Sequence, residues 1–91
     1  MSYSLVFTEQ YARRARRFLH RHPELRDAYL TALVTIENDP RHPSLHIQAL
    51  DDRLAGLHSV FVDSSQRTTL QLIISDRDII PVNVDDRDSV L

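Results

Sequence analysis

The sequence predicts an α+β protein in which an antiparallel hairpin of two helices covers one face of a mainly antiparallel sheet of about four strands. Three observations support the order strand, helix, helix and three strands. A short apolar segment opens the chain, apolar residues then recur with helical spacing on either side of Pro23, and β-branched residues are enriched after residue 59. Residues 1–91 are expected to form a single domain, because so short a chain cannot bury two cores.

The first strand and first helix are predicted from residues 4–19. Ser4-Leu5-Val6-Phe7 is typical of a short strand, and Thr8 offers a hydroxyl group that caps a helix beginning at Glu9. Four apolar residues then share one helical face and are expected to contact the core: Tyr11, Ala15, Phe18 and Leu19. Four arginines take the remaining positions and are expected to face solvent: Arg13, Arg14, Arg16 and Arg17.

The second helix follows a break at His22-Pro23, because the residue before a proline is disfavoured in the helical region. Pro23 itself suits the first turn of a new helix. Apolar residues between Leu25 and Ile36 repeat with the helical period, and Asn38-Asp39-Pro40 predicts the turn that ends this helix. The short link between the helices indicates an antiparallel hairpin.

The second half of the chain predicts strands after a loop over residues 41–53. Three β-branched segments, at residues 60–62, 68–74 and 79–84, are separated by short polar turns, which favours antiparallel neighbours. Pro81 has no amide hydrogen, so the last strand is expected to have an edge, a bulge or a gap in its hydrogen-bond ladder there.

Composition and charge narrow the class of protein. The chain has no cysteine and no long apolar run, which excludes disulfides and indicates a soluble, cytoplasmic protein. Its net charge is -2, with seven Arg against five acids in residues 1–46 and four Arg against eight acids in residues 47–91. A polyanion would therefore meet the first half of the chain. All eleven basic residues are arginine, which suits phosphate binding or simply reflects coding bias.

Several segments, taken in order, resemble the RelE/ParE superfamily of bacterial toxins, most closely its RelE-like and YafQ-like mRNA interferases. The match runs nearly from end to end, and it is the order of the segments that makes it specific. Besides the opening strand and the arginine-rich first helix, the segments are Asn38-Asp39-Pro40, Pro43-Ser44-Leu45, Leu50, residues 54–60 (LAGLHSV), Arg67 and residues 79–91 (IIPVNVDDRDSVL).

The resemblance implies both an activity and a partner. Members of this superfamily cleave mRNA in the ribosomal decoding site without a metal or cofactor, which inhibits translation, or they poison gyrase in the ParE branch. Both kinds are held inactive by a co-expressed antitoxin. Metal-free cleavage requires a base for the ribose 2′-hydroxyl, a cation for the charge that develops on the phosphate, and an acid for the leaving 5′-oxygen.

Three residues are the catalytic candidates under this resemblance. Arg67 matches the family arginine on the penultimate strand and suits a phosphate clamp, while the alternative is a salt bridge to a neighbouring acid such as Asp63. Arg87 lies where many relatives have histidine, and it supplies charge but is a poor proton carrier. His58 is the candidate proton carrier, expected to point at the cleft, although half-buried histidines bonded to backbone are more common.

Other residues are candidates for RNA or partner contacts. Arg13, Arg14, Arg16 and Arg17 are expected to bind an RNA backbone or an acidic antitoxin, or to be a solvated face. His46 is a further candidate in the loop. His20-x-His22 and His42-x-x-x-His46 raise the possibility of a metal, but without a thiolate or a HExxH helix we expect no metal site.

Departures from the family pattern keep two functions open. Asp85 replaces a glycine, Leu91 stands where an aromatic residue is usual, and Ser59 and Phe61 occupy a strand that is basic in active relatives. Gln48 lies about where YafQ-like proteins carry a loop histidine.

The first hypothesis is therefore a ribosome-dependent endoribonuclease toxin, which requires Arg67 and Arg87 to meet on one concave side of the sheet. The second is a member that acts by binding only, within an antitoxin complex or on gyrase. A third is an α+β domain with an unrelated role.

Overall fold

The computed structural model describes residues 3–50, 56–63 and 67–86. Two helices, α1 (Glu9–Arg21) and α2 (Arg26–Asn38), follow the first strand, and short 3₁₀ helices at Pro23–Leu25 and Pro43–Leu45 precede and follow α2. The five strands are β1 (Ser4–Leu5), β2 (Gln48–Ala49), β3 (Leu57–Asp63), β4 (Thr68–Ser75) and β5 (Asp78–Asp86). In the described part of the chain, neither helix is long and apolar enough to cross a membrane.

The sheet has the strand order β1-β5-β4-β3-β2. β1 runs parallel to β5, and every other pair is antiparallel. The predicted α+β class, the helix order and the three C-terminal strands are confirmed. The sheet has five strands because β2 forms within the segment predicted as loop, where it pairs with β3 and the Leu50 amide donates to the Leu57 carbonyl at 2.9 Å. Two residues are too few to show strand periodicity in sequence.

The helices lie on one face of the sheet, with α1 against β5 and α2 against β3. Thr8 caps α1 as predicted, accepting a hydrogen bond from the Tyr11 amide at 3.1 Å. The apolar faces of both helices meet alternate residues of the strands, because strand side chains point to opposite faces in turn. The buried apolar residues are Tyr11, Ala15, Phe18, Leu25, Tyr29, Ala32, Ile36, Leu45, Val60, Leu70, Leu72, Ile79 and Val84.

A hydrogen bond between two tyrosines joins the helices inside this core. The hydroxyl groups of Tyr11 and Tyr29 lie 2.7 Å apart. Burial, together with this bond, raises the pKa of Tyr11, and burial raises the pKa of Tyr29 although the bond opposes that rise. Both tyrosines therefore stay neutral, and each satisfies the other's polar group.

β5 contains the irregularity predicted at Pro81. Leu72 pairs with Pro81 while the adjacent Gln71 pairs with Asn83, so Val82 is an extra residue in β5. This is a β-bulge, which accommodates a residue that has no amide hydrogen to donate. The Val82 carbonyl instead accepts a hydrogen bond from the Arg14 guanidinium at 3.2 Å, across the strand edge that β1 leaves open.

Gly56 makes the turn into β3. Its φ is +84°, and a Cβ atom there would lie 2.6 Å from the Ile74 carbonyl oxygen. The Gly56 carbonyl in turn accepts the Ile74 amide at 3.0 Å. Glycine is the residue that tolerates both the backbone conformation and this close approach.

Candidate functional site

A cleft of about 580 Å³ lies on the face of the sheet that the helices leave open. The assignment to this face follows from alternation, because its strand residues lie between the buried residues Val60, Leu70 and Leu72. The described lining residues are His46, Ile47, Gln48, Leu50, Ser59, Phe61, Thr69 and Gln71. The floor of the cleft is therefore formed by β3 and β4, and one wall by residues 46–50.

Strand pairing arranges the open face in rows that cross the sheet, because directly paired residues point to the same side. The first row is apolar and consists of Leu57, Ile73 and Ile80. The second, which we call the amide row, consists of Gln48, Ser59, Gln71 and Asn83. The third consists of Phe61, Thr69 and Asp85. The cleft extends over Gln48, Ser59 and Gln71 of the amide row and over Phe61 and Thr69 of the third row, whereas the β5 members of both rows are not among its described lining residues.

His46 contributes an imidazole to the wall of the cleft. Its backbone is left-handed, with φ +48° and ψ +52°, and this turn carries the chain from the buried Leu45 towards β2. The His46 ring lies 5.8 Å from the Phe61 ring, centroid to centroid, at an interplanar angle of 76°. Among the residues predicted to be catalytic or to bind RNA or a partner, only His46 belongs to the described lining of the cleft.

Arg67 lies immediately before β4 and is exposed. Its backbone also adopts a positive φ of +56°. Thr69, which lines the cleft, follows two residues later, roughly 7 Å along an extended chain. Within residues 3–50, 56–63 and 67–86 the structure records no ion pair for Arg67, so the predicted alternative of a salt bridge to Asp63 is not seen there.

Arg87 lies outside the described residues. The predicted meeting of Arg67 and Arg87 on one concave side therefore stays a prediction. Asp86, the last residue of β5, pairs with Thr68, so the chain reaches the neighbourhood of Arg67 just before Arg87.

His58 lies on the face that the helices cover, contrary to the expectation that it points at the cleft. It pairs with Leu72, which is fully buried, and paired residues share a face. Its Nδ1 lies 2.7 Å from the Gly56 carbonyl oxygen. Because a carbonyl only accepts, Nδ1 carries the proton and donates, which is the backbone-bonded state that the sequence left open as an alternative.

The arginines of α1 do not form one uniform surface. Arg13, Arg14, Arg16 and Arg17 are all exposed, but Arg14 also donates a hydrogen bond to the Val82 carbonyl at the edge of β5. At the end of the same helix, the Arg21 guanidinium lies 3.8 Å from the Asp85 carboxylate. Asp85, which stands where the resemblance implies a glycine, belongs to the third row of the open face. The Arg21 guanidinium of α1 therefore places a positive charge beside the Asp85 carboxylate.

The histidine pairs noted in the sequence make local contacts. His22 Nδ1 lies 3.4 Å from the Glu24 carboxylate, and His42 Nδ1 accepts the Ser44 amide at 3.1 Å. Among the residues that the structure describes, no group of three or more His, Cys, Asp or Glu side chains is placed to hold a metal ion.

Sequence reasoning missed part of the cleft. Thr69 and Gln71 were not singled out, and Gln48 was noted only as a departure from relatives. The available signal was the alternation of polar and apolar residues over Thr69-Leu70-Gln71-Leu72 in β4, which marks a face that is free of the helices.

Known proteins are similar to this chain in structure. No protein-family model matches the sequence, and no curated protein is similar to it in sequence. A chain of the Escherichia coli DinJ-YafQ complex is 13% identical, with 98% of each chain covered and a TM-score of 0.73. The YoeB/ParE toxin from Agrobacterium tumefaciens is 10% identical, with 92% of this chain and 98% of that chain covered and a TM-score of 0.73.

A third solved structure shows the same likeness. A chain of the RelB-RelE antitoxin-toxin complex from Methanococcus jannaschii is 13% identical, with 93% of each chain covered and a TM-score of 0.71. At such identities the similarity concerns the fold, and it extends over nearly the whole chain. The chain described here thus has the fold of the RelE-like toxins, as its sequence predicts.

Proposed function

We propose that this protein is the toxin of a type II toxin-antitoxin pair and cleaves mRNA on the ribosome, in the cytoplasm and without a metal. The observation that carries the proposal is the cleft on the open face of a RelE-like fold, with an imidazole in its wall and Arg67 beside its floor. Relatives in fold include a chain of an antitoxin-toxin complex, which supports an antitoxin as partner.

The cleft offers a group for proton transfer. His46 is exposed and lines the cleft, and its imidazole ring has one nitrogen that accepts a proton and one that donates. His58 is less suited, because its Nδ1 is held by the Gly56 carbonyl and its ring lies on the helix-covered face. We therefore assign removal of the proton from the ribose 2′-hydroxyl to His46 rather than to His58, and the leaving 5′-oxygen takes its proton from solvent water.

The required cation is assigned to Arg67. An exposed guanidinium presents a planar fork that binds two non-bridging phosphate oxygens at once. Charge that develops on those oxygens during cleavage is stabilised by such a fork. Arg87 is assigned the same electrostatic role, and this assignment rests on the resemblance alone.

Controlled expression in a bacterial host tests the proposal. We expect growth to stop and primer extension on cellular transcripts to show new 5′ ends within coding regions. If a short, acidic, helix-rich reading frame lies directly next to the gene, its co-expression should restore growth. Intact transcripts in cells that make the protein at full length would contradict the proposed cleavage.

A second candidate function, binding without cleavage, is favoured by Asp85. Its carboxylate occupies the third row of the open face, where a negative charge opposes an incoming phosphate. The Arg21 guanidinium at 3.8 Å offsets that charge in part. If this candidate is correct, the protein co-purifies with its antitoxin while transcripts and growth stay unchanged.

A further inference from the structure

The described lining of the cleft differs chemically from a phosphate site. Apart from the His46 imidazole, these lining residues carry no ionisable side chain. Phosphate binding relies on arginine, lysine or clustered amide hydrogens, whereas uncharged polar and aromatic groups suit a neutral heterocycle. The volume of about 580 Å³ lies within the range of small-molecule sites, roughly 300–1,000 Å³.

The amide row supplies paired donors and acceptors. Gln48 and Gln71 both pair with Ser59, one on each side, so two carboxamides flank one hydroxyl group on the same face. Neighbouring strands lie about 4.8 Å apart, which places the two carboxamides roughly 10 Å apart at their backbones. A carboxamide presents a donor beside an acceptor, which matches the edge of a nucleobase.

Phe61 and His46 form an aromatic corner next to this row. Their rings are 5.8 Å apart and nearly perpendicular, at 76°. Phe61 is only half-buried, and it follows Ser59 on the same face of β3. A flat ring that stacks on Phe61 meets the His46 ring edge-on. The edge of the stacked ring then lies over the amide row.

From this geometry we propose that the cleft binds one unpaired base of single-stranded RNA, with Phe61 as the stacking surface and Gln71 and Gln48 as the groups that bind the base edge. This inference rests on the proposed function and specifies which part of the RNA the cleft recognises. Unstacked bases are bound in this way by other RNA-binding surfaces, through aromatic stacking and hydrogen bonds to their edges. The phosphate groups lie outside the cleft, towards Arg67.

Equilibrium binding to the full-length chain tests the inference without requiring cleavage. The probes are adenosine, uridine, ribose 5-phosphate and a short 2′-O-methyl RNA, which cannot be cut because its 2′-oxygen is blocked. In NMR titrations we expect the nucleosides and the RNA to shift the side-chain amide signals of Gln48 and Gln71. Ribose 5-phosphate should leave those signals unchanged.

Substitutions of Phe61 measure how much the stacked ring contributes to RNA affinity. Phe61→Leu should weaken RNA binding roughly 5-fold to 160-fold, the range for loss of one stacked base, and Phe61→Tyr should retain binding. Phe7→Leu is the matched control, because Phe7 is an exposed phenylalanine that contacts Tyr11 and does not belong to the described lining. If Phe61→Leu does not fold, Gln71→Leu compared with Gln10→Leu decides in its place.

Several results would overturn the inference. They are equal effects of Phe61→Leu and Phe7→Leu, equal shifts with ribose 5-phosphate and nucleosides, and no binding of any base at saturating concentration. Binding of an acidic peptide in the cleft, with none of the nucleosides, would also overturn it. Loss of the proposed cleavage with nucleoside binding intact would refute the proposed function and leave this inference standing, so the two failures are distinguishable.

Discussion

The hydroxyl groups of Tyr11 and Tyr29 lie 2.7 Å apart in the core and connect α1 to α2. Neither group reaches solvent easily, since the two residues are 1% and 5% exposed. The hydrogen bond therefore restrains the position of α1 relative to α2 on the sheet. It is also a polar contact whose two members depend on each other.

A double-mutant cycle measures this dependence. Tyr11→Phe or Tyr29→Phe alone leaves one buried hydroxyl without its partner, so each should lower the free energy of unfolding by about 1–3 kcal/mol. The double variant should lose less than the sum of the single losses, because it removes both polar groups together. Urea unfolding of the four proteins provides the values, and simple additivity would show that the bond has no energetic role.

Alkaline pH should destabilise the protein through the same pair. Burial raises the pKa of both tyrosines in the folded protein above the ordinary value of 10.0. The unfolded chain therefore ionises first, so the pair's contribution to stability is complete below pH 10 and declines as the pH rises above it. Urea unfolding at a series of alkaline pH values should show a shallower decline for the Tyr11→Phe/Tyr29→Phe variant, and an equal decline would contradict this.

Arg14 should contribute to stability where Arg13 does not. Both residues are exposed, but the Arg14 guanidinium donates to the Val82 carbonyl at the bulge, whereas Arg13 makes no such bond to the described residues. Arg14→Ala should cost about 0.5–1.5 kcal/mol, which corresponds to a melting temperature several degrees lower in a chain of this size. Arg13→Ala is the matched control and should melt like the parent protein. Equal melting of the two variants would mean that the bulge does not need Arg14.

The buried hydroxyl group of Thr68 is expected to lower the stability of the folded protein. Thr68 is fully buried at the start of β4, and among the described residues its hydroxyl has no hydrogen-bond partner. Thr68→Val keeps the shape and removes the unsatisfied group, so it should stabilise the protein by about 1 kcal/mol. Thr69→Val, next to it on the open face, should change stability by no more than about 0.5 kcal/mol. Thermal unfolding distinguishes them, and a destabilised Thr68→Val would show that the hydroxyl is satisfied after all.

The fold was largely predictable because its signals are local. The apolar face of α1 and the break at Pro23 mark the helices, and Pro81 marks the irregularity in β5 through its missing amide hydrogen. β2 escaped prediction because two residues cannot display a period. Its formation depends on pairing with β3, which is a contact distant in sequence.

The candidate site was predictable only in part. Residue type made His46 and Arg67 candidates, and His46 lines the cleft. The face on which a strand residue points depends on register, however, and one step separates His58 from the cleft residue Ser59. The role of Arg14 at the edge of β5 also depends on tertiary structure, since the bulge at Val82 lies 68 residues away along the chain.

Whether the protein cleaves RNA with the help of Arg67 is tested most directly by comparing two exposed turn arginines at opposite ends of β4, Arg67 and Arg77. Growth arrest and transcript cleavage are measured after induction of the parent protein, Arg67→Ala and Arg77→Ala at matched protein levels. We expect at least about a tenfold loss of cleavage for Arg67→Ala, the effect of removing a charged hydrogen bond to phosphate, with antitoxin binding retained and Arg77→Ala fully toxic. Undiminished cleavage by Arg67→Ala would contradict this expectation.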